Sequence, residues 1–599
     1  MEKNLPKRNE VPQEMTWRLG DIYESEEAWE AERAQILPLA EEIAGYDGKV
    51  AGSADILLKV LQLFEKGVLL IDRVMGYAHM YQDQDTSDTT GQSLEMKGMN
   101  TIAQAMEKIS FLDPEILEIP EDTLKEFFAK EPGLEHFACH IREIRRLREH
   151  TLSKETEALI ASARELMGSP QGTYGMLSNA DLKFPTVKDR DGNEIQITNG
   201  RFVPLQMSPD RSLRKAVFEQ YYARWKEFSN TWASLYDGEV KARIFESRAR
   251  KYGSCFEAAV DGNNVSPAVC DNLFDSVHRN IGQMHRYVRL RKKLLGVEEL
   301  HMYDIYASMV SDFEMKVSYE EAKAMTLEAL KPMGEEYLSV VRRAYEERWI
   351  DVMENEGKRS GAYSSGVYDV HPYMLLNYNN TLDDVFTLIH EMGHSMHTWY
   401  STHAQSLLDS EYKIFVAEVA STTNEILLLE YLLGKAESKQ EKAYLINHLL
   451  ESFKGTLFRQ TMFEEFERKT CAMAEEGTPL TAETLADVYL NLNREYFGED
   501  MVSDPEIAWE WCRIPHFYYN FYVYQYATSF SAAVAIARRI LKEGESYAKQ
   551  YIEFLKSGCT QDPVSLLKIA GIDLSTAQPI DSALEEFARA ITEMEELYA

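Results

Sequence analysis

Residues 381–400 read TLDDVFTLIHEMGHSMHTWY, a helix signal that carries two histidines. Thr381 can cap a helix, and Asp384 suits its first turn because a carboxylate opposes the positive end of the helix dipole. On such a helix His390 and His394 lie four residues apart. This spacing puts both imidazole rings on one face, one turn apart, where they can bind a single metal ion.

Glu391 directly follows the first histidine, and in a His-Glu-x-x-His helix this carboxylate acts as the general base of a metalloprotease. With 14 histidines in 599 residues, a chance match is expected in fewer than about 1 in 20 such sequences. The alternative is an ordinary helix whose two histidines face solvent or are satisfied in the core. Because the required helix context is also present, the sequence predicts a catalytic zinc centre.

A third ligand must come from farther along the chain, since catalytic zinc usually takes three protein ligands and one water. The acidic candidates are Asp409, Glu411, Glu418 and Glu425. Glu418 lies in FVAEVA, residues 415–420, where a carboxylate among small apolar residues is costly to bury unless something pairs with it. Glu425 follows on the same helix face and can accept a hydrogen bond from a ligand histidine. A solvated helix face is the alternative for Glu425.

A second unusual stretch is RIPHFYYNFYVYQY, residues 513–526, called here the tyrosine-rich segment. A purely structural run would favour Phe and Leu, whereas phenol hydroxyls suit a surface that offers hydrogen bonds. A core with satisfied hydroxyls remains the alternative for most of these tyrosines. A peptidase needs donors where the tetrahedral oxyanion develops, and His516 with one or two tyrosines are the candidates.

Most of the chain has apolar residues at three- and four-residue spacing, which is typical of amphipathic helices. Two stretches break this pattern. Phe184–Pro204 contains Asp191-Gly192 between two short apolar runs and predicts a hairpin, and Gly361–Tyr378 predicts short strands just before the histidines. The predicted fold class is mainly α, with a small β-sheet beside the zinc-binding helix.

The length exceeds one ordinary domain, but no linker divides the chain, so the expected division into residues 1–200 and a catalytic region 201–599 is soft.

The net charge of −34 disfavours nucleic acid and anionic membranes as partners. No apolar signal segment follows the N-terminal residues, and the apolar run Phe530–Ala537 is too short to span a membrane. Cytoplasmic residence is therefore expected.

The six cysteines are scattered and none forms a C-x-x-C motif. So few in so long a chain predict neither a disulfide framework nor a structural zinc site. Buried, reduced thiols are expected at all six positions, which are Cys139, Cys255, Cys270, Cys471, Cys512 and Cys559.

The motifs together resemble oligoendopeptidase F, in the thimet-oligopeptidase-like family of zinc peptidases. The resemblance rests on HEMGH at 390–394 with FVAEVAS at 415–421, on the tyrosine-rich segment, and on WRLGDIY at 17–23. It covers nearly the whole chain. It implies a two-lobed, mostly helical fold with a deep channel, and hence short unstructured peptides as substrates.

The resemblance also implies one Zn²⁺ per chain, bound by His390, His394 and Glu418, with Glu391 as the catalytic base. Glu425 is expected to support a ligand histidine. The other expected site residues are His516, Tyr526 and Tyr522 for catalysis and Gly361, Ala362, Tyr363, Tyr519 and Tyr524 for substrate binding.

The predicted activity is zinc-dependent cleavage of internal bonds in short peptides. One alternative is an exopeptidase that trims a C-terminus, which would need a cationic group for the terminal carboxylate. The other is a non-catalytic peptide-binding protein with a relic motif, and the four intact residues of the zinc motif argue against it. Oligomeric state and cleavage-site preference are left open by the sequence.

Overall fold

The computed structural model describes residues 5–310 and 315–599. The chain forms two compact units, each assembled from three separate segments. Unit 1 comprises Met1–Glu149, Glu314–Tyr431 and Ile536–Ile572, and unit 2 comprises His150–Phe313, Leu432–Ala535 and Asp573–Ala599. This division differs from the expected regions 1–200 and 201–599, because the chain leaves and re-enters each unit before completing it.

Unit 1 is mostly helical, and its longest helix buries a stripe that includes Leu57, Val60 and Leu61 at three- and four-residue spacing. Trp29 packs into the same core and donates its indole N–H to the carbonyl of Val74 at 2.9 Å. The helices that lie in unit 1 are α1 (Glu26–Arg33), α2 (Ile36–Ala44), α3 (Ala54–Asp83), α4 (Thr89–Ile109), α5 (Leu112–Glu118), α6 (Glu121–Lys130), α7 (Ala138–Arg146), α16 (Tyr319–Ala329), α17 (Glu335–Glu346), α18 (Leu382–Ala404), α19 (Leu407–Ser410), α25 (Glu545–Leu555) and α26 (Pro563–Ile569).

Unit 2 is also helical and has an aromatic core in which Trp225 and Trp232 pack at 4.9 Å between ring centroids. The helices of unit 2 are α8 (Lys154–Met167), α9 (Ser169–Met176), α10 (Asn199–Gln206), α11 (Arg211–Lys226), α12 (Ser229–Ala249), α13 (Cys255–Gly262), α14 (Pro267–Arg279), α15 (Ile281–Leu295), α21 (Lys439–Ser452), α22 (Arg459–Glu475), α23 (Ala482–Phe497) and α27 (Gln578–Leu597). Two helices begin in one unit and end in the other. They are α20 (Ile414–Lys435) and α24 (Tyr524–Glu543).

In the described part of the chain, three small sheets interrupt the helices. In unit 2, β1 (Thr186–Lys188) pairs with β2 (Glu194–Gln196) in an antiparallel hairpin, and β3 (Leu300–His301) pairs with β7 (Met501–Val502) in parallel. The hairpin prediction is confirmed. Gly192 in its turn has a φ of +83°, a backbone conformation that favours glycine.

The sheet of unit 1 has the order β4 (Ile350–Asp351), β6 (Tyr373–Leu375) and β5 (Tyr363–Ser365). Strand β5 is antiparallel to β6 and lies at an edge. The predicted sheet beside the histidine helix is therefore present, although β4 was not predicted.

The mainly α fold class is confirmed. Among the described residues, no helix is both long enough and apolar enough to cross a membrane.

Candidate metal centre

Helix α18 begins where the sequence predicts. The hydroxyl of Thr381 accepts from the backbone N–H of Asp384 at 3.2 Å, and the Asp384 carboxylate accepts from the N–H of Thr381 at 2.9 Å. This reciprocal cap satisfies two backbone donors that the first turn leaves unpaired. Val385 and Ile389 are fully buried on the same helix, so the cap and the apolar face together set how α18 presents its histidines.

Gly393 explains how α18 approaches α20 so closely. A Cβ atom at this position would lie 2.6 Å from the carbonyl oxygen of Ala420 and 2.6 Å from Cα of Ser421, closer than atoms can pack. The two helices are also joined by a hydrogen bond from Asn424 to the carbonyl of Ile389 at 3.3 Å. The glycine of the HEMGH motif therefore brings the acidic residues of α20 within reach of the histidines, a role that we did not predict from sequence.

His390, His394 and Glu418 converge in unit 1. The Glu418 Oε2 atom lies 3.4 Å from Nε2 of His390 and 3.5 Å from Nε2 of His394. Donor atoms around a tetrahedral zinc ion with bonds of 2.0–2.1 Å lie about 3.3 Å apart, so the spacing and the donor types fit zinc. The three side chains are 18–30% exposed, which leaves the group accessible to water and substrate.

Glu425 supports His390 from the opposite side of the ring. Its Oε1 atom lies 2.5 Å from Nδ1 of His390, which leaves Nε2 facing Glu418. Burial disfavours a charged imidazole, but the hydrogen bond and charge of Glu425 outweigh it and raise the pKa of His390 to about 9. Such a carboxylate fixes the tautomer and orientation of a metal-binding histidine.

Glu391 is nearly buried beside this group. Burial raises the pKa of its carboxyl, although the nearby His390 and His394 oppose the shift. A carboxylate whose pKa is raised from its ordinary range toward the operating pH can take up a proton and return it, which is the behaviour of a general base.

The other candidates for the third ligand do not join this group. Glu411 is exposed, and Asp409 lies in a different cluster, described below. His397, one turn after His394, is buried with its ring 3.6 Å from that of Tyr412, and burial lowers its pKa to about 3. His397 therefore belongs to the core.

The edge strand β5 lies against α18. Ser364 in β5 and Ser395 in α18 share a hydrogen bond of 2.8 Å between their hydroxyls, one residue from His394. Gly361, just before β5, has a φ of +90°, and its carbonyl accepts from Asn377 at 2.8 Å. A cavity of about 250 Å³ opens at this place, lined by Gly361, Ala362, Leu376, Asn377, Tyr378, Asp384 and Thr387.

The expected substrate residue Tyr363 is half-buried in β5, and its hydroxyl donates to Asp83 at 2.9 Å. Gly361 and Ala362 line the cavity itself. Gly361, Ala362 and Tyr363 therefore lie beside α18, the helix that carries the two histidines, and Tyr363 is hydrogen-bonded to α3.

The tyrosine-rich segment lies in unit 2. The ring of His516 has its centroid 5.5 Å from that of Tyr519, 6.2 Å from that of Tyr526 and 6.4 Å from that of Tyr522. Burial lowers the pKa of His516, which keeps the imidazole neutral at pH 7. These four rings form one partly exposed group, with Tyr519 the most open at 45% exposure.

Tyr524 does not join them. It is 1% exposed, and its hydroxyl accepts a 3.5 Å hydrogen bond from Asn263 in the core of unit 2. Tyr524 is therefore buried apart from the exposed rings, and its expected contact with substrate stays a prediction. Tyr518 is buried too and stacks on Tyr174 at 4.3 Å.

A buried ion pair that the sequence did not reveal shapes this segment. Arg243 donates to Glu467 at 2.6 Å and to the carbonyl of Phe517 at 2.7 Å. The same carboxylate accepts from the N–H of Phe521 at 2.9 Å. Phe521 and Asn520 have φ angles of +57° and +51°, which are uncommon for residues with side chains and persist only where surrounding structure holds them.

Comparison with known proteins gives the family. Residues 205–586 match the family model described as Peptidase family M3, and residues 115–184 match one described as Oligopeptidase F. Oligopeptidase PepF of Bacillus subtilis is 47% identical over 593 residues, covering 99% of this chain and 88% of the relative. An oligoendopeptidase F homolog of Lactococcus lactis is 38% identical and covers 98% of each chain.

Solved structures agree with this result. A structure from Chlamydophila abortus has a TM-score of 0.93 at 33% identity and covers 99% of this chain and 100% of the other. Oligoendopeptidase F from Enterococcus faecium has a TM-score of 0.75 at 36% identity, covering 95% and 98%. The chain therefore belongs to peptidase family M3, with relatives of the oligoendopeptidase F type.

Proposed function

We propose that this protein is a zinc-dependent endopeptidase that cleaves internal bonds of short, unstructured peptides. The observation that carries the proposal is the convergence of His390, His394 and Glu418, with Glu391 beside them. Their donor atoms and separations suit zinc. The names of the relatives, which are oligopeptidases and oligoendopeptidases, support short peptides as the substrate class.

His390, His394 and Glu418 would hold the ion, and Glu425 would orient His390 through the hydrogen bond to Nδ1. Zinc, when bound, would supply a Lewis acid that polarises the scissile carbonyl and lowers the pKa of water toward ~7. Glu391 takes a proton from the attacking water and passes it to the leaving amine.

Strand β5 is proposed to bind the substrate backbone. It pairs with β6 on one side only, so its other edge has no strand partner among the described residues. An extended peptide can add to such an edge by main-chain hydrogen bonds. The cavity beside Gly361 and Ala362 would then receive a side chain of that peptide.

His516 and Tyr526 are proposed as the donors that stabilise the oxyanion of the tetrahedral intermediate. Their shared aromatic group in unit 2 keeps both partly exposed. Tyr522, whose ring is 5.3 Å from that of Tyr526, is the competing donor. Tyr519, the most exposed member, is proposed to contact substrate.

The test is Glu391→Gln, measured with an internally quenched peptide blocked at both ends. We expect bound zinc to be retained, because Glu391 is not a proposed ligand, and turnover to fall by about 100–10,000-fold, the range of general acid–base catalysis. Wild-type turnover of the blocked peptide separates an endopeptidase from an exopeptidase, since an exopeptidase needs a free terminus. Wild-type activity in the variant would contradict the role of Glu391, and no cleavage of the blocked peptide would contradict the endopeptidase.

A further inference from the structure

Unit 1 contains a second cluster of side chains of the types that bind metals, formed by Cys139, Asp409 and Cys559. The two Sγ atoms and one carboxylate oxygen all lie within 4.8 Å of one another. Cys139 is in the first turn of α7, Asp409 is in α19, and Cys559 follows α25. Although 420 residues separate the two cysteines, Sγ of Cys139 donates to the carbonyl of Cys559 at 3.1 Å.

The backbone around this group is built for close approach. The N–H of Cys559 donates to the carbonyl of Asp409 at 2.8 Å. The preceding Gly558 has a φ of +52°, and a Cβ atom there would lie 1.9 Å from the same carbonyl oxygen. Only glycine therefore allows this turn to reach α19, which holds Cys559 against Asp409.

Arg142 fixes the position of Cys139 and its helix α7 relative to the turn that carries Cys559. Its guanidinium donates to Sγ of Cys139 at 2.9 Å and to the carbonyl of Thr560 at 2.6 Å. Such a bond stabilises a thiolate sulfur, the form in which cysteine binds metal. The same contact ties α7 to the turn that carries Cys559.

One oxygen atom of the cluster lacks a hydrogen-bond partner in the described part of the chain. Oδ1 of Asp409 is buried and has no hydrogen-bond partner among the described residues. A carboxylate oxygen without a partner is costly to bury. Two thiolates and this carboxylate carry three negative charges, which Arg142 and a divalent cation would together neutralise. A disulfide between the cysteines would leave the Asp409 oxygen unpaired, whereas a metal ion would satisfy all three side chains.

We propose that Cys139, Asp409 and Cys559 bind a second zinc ion that joins α7, α19 and the turn after α25. Sulfur atoms around a tetrahedral zinc ion with bonds of ~2.3 Å lie about 3.8 Å apart, within the spacing observed here. Water, which can reach the half-buried Cys559, takes the fourth position. Binding forms two sulfur–zinc bonds and one oxygen–zinc bond and releases the two thiol protons to solvent, without any transfer of electrons.

This ion is additional to the single zinc ion per chain that the resemblance implies. The proposal does not depend on peptidase activity, because its ligands, its contacts and its test are separate from those of His390, His394 and Glu418.

The test is titration of Co²⁺ into the metal-free, full-length protein under reducing conditions. Cobalt bound to thiolates gives an intense near-ultraviolet charge-transfer band, which a centre made of two histidines and a glutamate cannot give. At full loading we expect the band to correspond to one thiolate-bound cobalt ion per chain, with a total uptake of about two equivalents because the histidine cluster also binds cobalt. Cys139→Ser and Cys559→Ser should lose it, and Asp409→Asn should keep it with affinity reduced by at least about tenfold.

Cys255→Ser is the matched control. Cys255 and Cys471 also share a side-chain hydrogen bond in the core of unit 2, but no carboxylate joins them in a metal-binding group among the described residues. The band should therefore be unchanged in this variant.

Absence of the band in the reduced wild-type protein would overturn the proposal without reference to how any variant folds. The same band in the Cys139→Ser, Cys559→Ser double variant would also overturn it. If the reduced protein shows no band, and hydrogen peroxide removes two titratable thiols in Cys255→Ser but none in the Cys139→Ser, Cys559→Ser double variant, the pair forms a disulfide and the metal proposal is wrong.

Discussion

The two candidate metal clusters of unit 1 are built in opposite ways. In the histidine cluster, two donors come from a single helix at a spacing of one turn, and the third comes from α20. In the cysteine cluster, each donor comes from a different segment, and the outer two are 420 residues apart. The difference teaches that a metal site can be recognised in a sequence when closely spaced residues supply part of its geometry, as one helical turn does for His390 and His394.

The clusters also differ in their surroundings. Behind His390 lies a carboxylate, Glu425, whose contact with Nδ1 leaves Nε2 of the neutral ring to bind a metal. Beside Cys139 lies a cation, Arg142, which favours the thiolate. Edge strand β5 lies against the helix of the histidine cluster, where it suits the proposed binding of an extended peptide. The cysteine cluster instead ties three chain segments together, which suits a structural ion.

The largest expected effect sharpens the assignment of donors in the histidine cluster. Glu418→Ala should remove most of the bound metal, because it deletes one of three direct bonds. Glu425→Ala should weaken metal affinity by about 10–100-fold, since it removes only the support of a ligand histidine. Competition with a chromophoric chelator measures both affinities, and the reverse ranking would move the third ligand to Glu425.

A second prediction tests the proposed role of the tyrosine-rich segment in the reaction, a role that the cysteine cluster does not have. Tyr526→Phe removes one hydroxyl and keeps the ring, so kcat should fall by about 100–1,000-fold with little change in KM or bound zinc. Tyr518→Phe is the control and should be nearly silent, because Tyr518 is buried against Tyr174.

Steady-state kinetics measures kcat and KM for Tyr526→Phe, for the control Tyr518→Phe, and for Tyr522→Phe and Tyr519→Phe. Full kcat in Tyr526→Phe together with a large loss in Tyr522→Phe would assign the oxyanion donor to Tyr522. Full kcat in both, together with a large loss in Tyr519→Phe, would assign the donor to Tyr519.

A third prediction tests whether the histidine cluster depends on helix contact. Gly393→Ala should destabilise the protein by about 1–3 kcal/mol, because its methyl group would collide with the backbone of Ala420 and Ser421. Gly434→Ala, on α20 with open space around it, should change stability by at most about 1 kcal/mol and in the favourable direction. Urea unfolding of both variants measures the difference, and equal stabilities would contradict the contact.

The smallest expected effect concerns the cysteine cluster. Cys139→Ser should leave kcat close to that of the wild-type protein, because Cys139 is not placed in the catalytic group. The wild-type protein, but not the variant, should gain stability from zinc at the cysteine cluster, by about 2.7 kcal/mol at a free concentration 100 times the dissociation constant. We measure kcat with Cys139→Ser as the single change. The zinc-dependent stability is compared with and without Cys139→Ser in a Glu425→Ala background, where the histidine cluster binds zinc weakly. A large loss of kcat in Cys139→Ser would show that the two clusters are functionally joined.

Much of the histidine cluster, and the hairpin of unit 2, could be predicted because their sequence patterns are local. The Thr381 cap, the one-turn spacing of His390 and His394 and the Asp191-Gly192 turn each depend on backbone angles over a few residues, and each is present as expected. The cost of a carboxylate among apolar neighbours favoured Glu418 among the acidic candidates, and the family resemblance assigned it. The structure brings Glu418 to both histidines. The mainly α character followed from apolar spacing repeated along the chain.

Tertiary structure alone decided the rest. Whether Tyr524 or Tyr526 faces the core depends on what packs against α24, and the two differ by only two residues in a run of similar side chains. Cysteines that looked like isolated buried thiols became a pair with Asp409 because Gly558 lets one turn approach α19. Local preferences act over one or two turns of chain, whereas these contacts join segments hundreds of residues apart, and only packing brings such segments together.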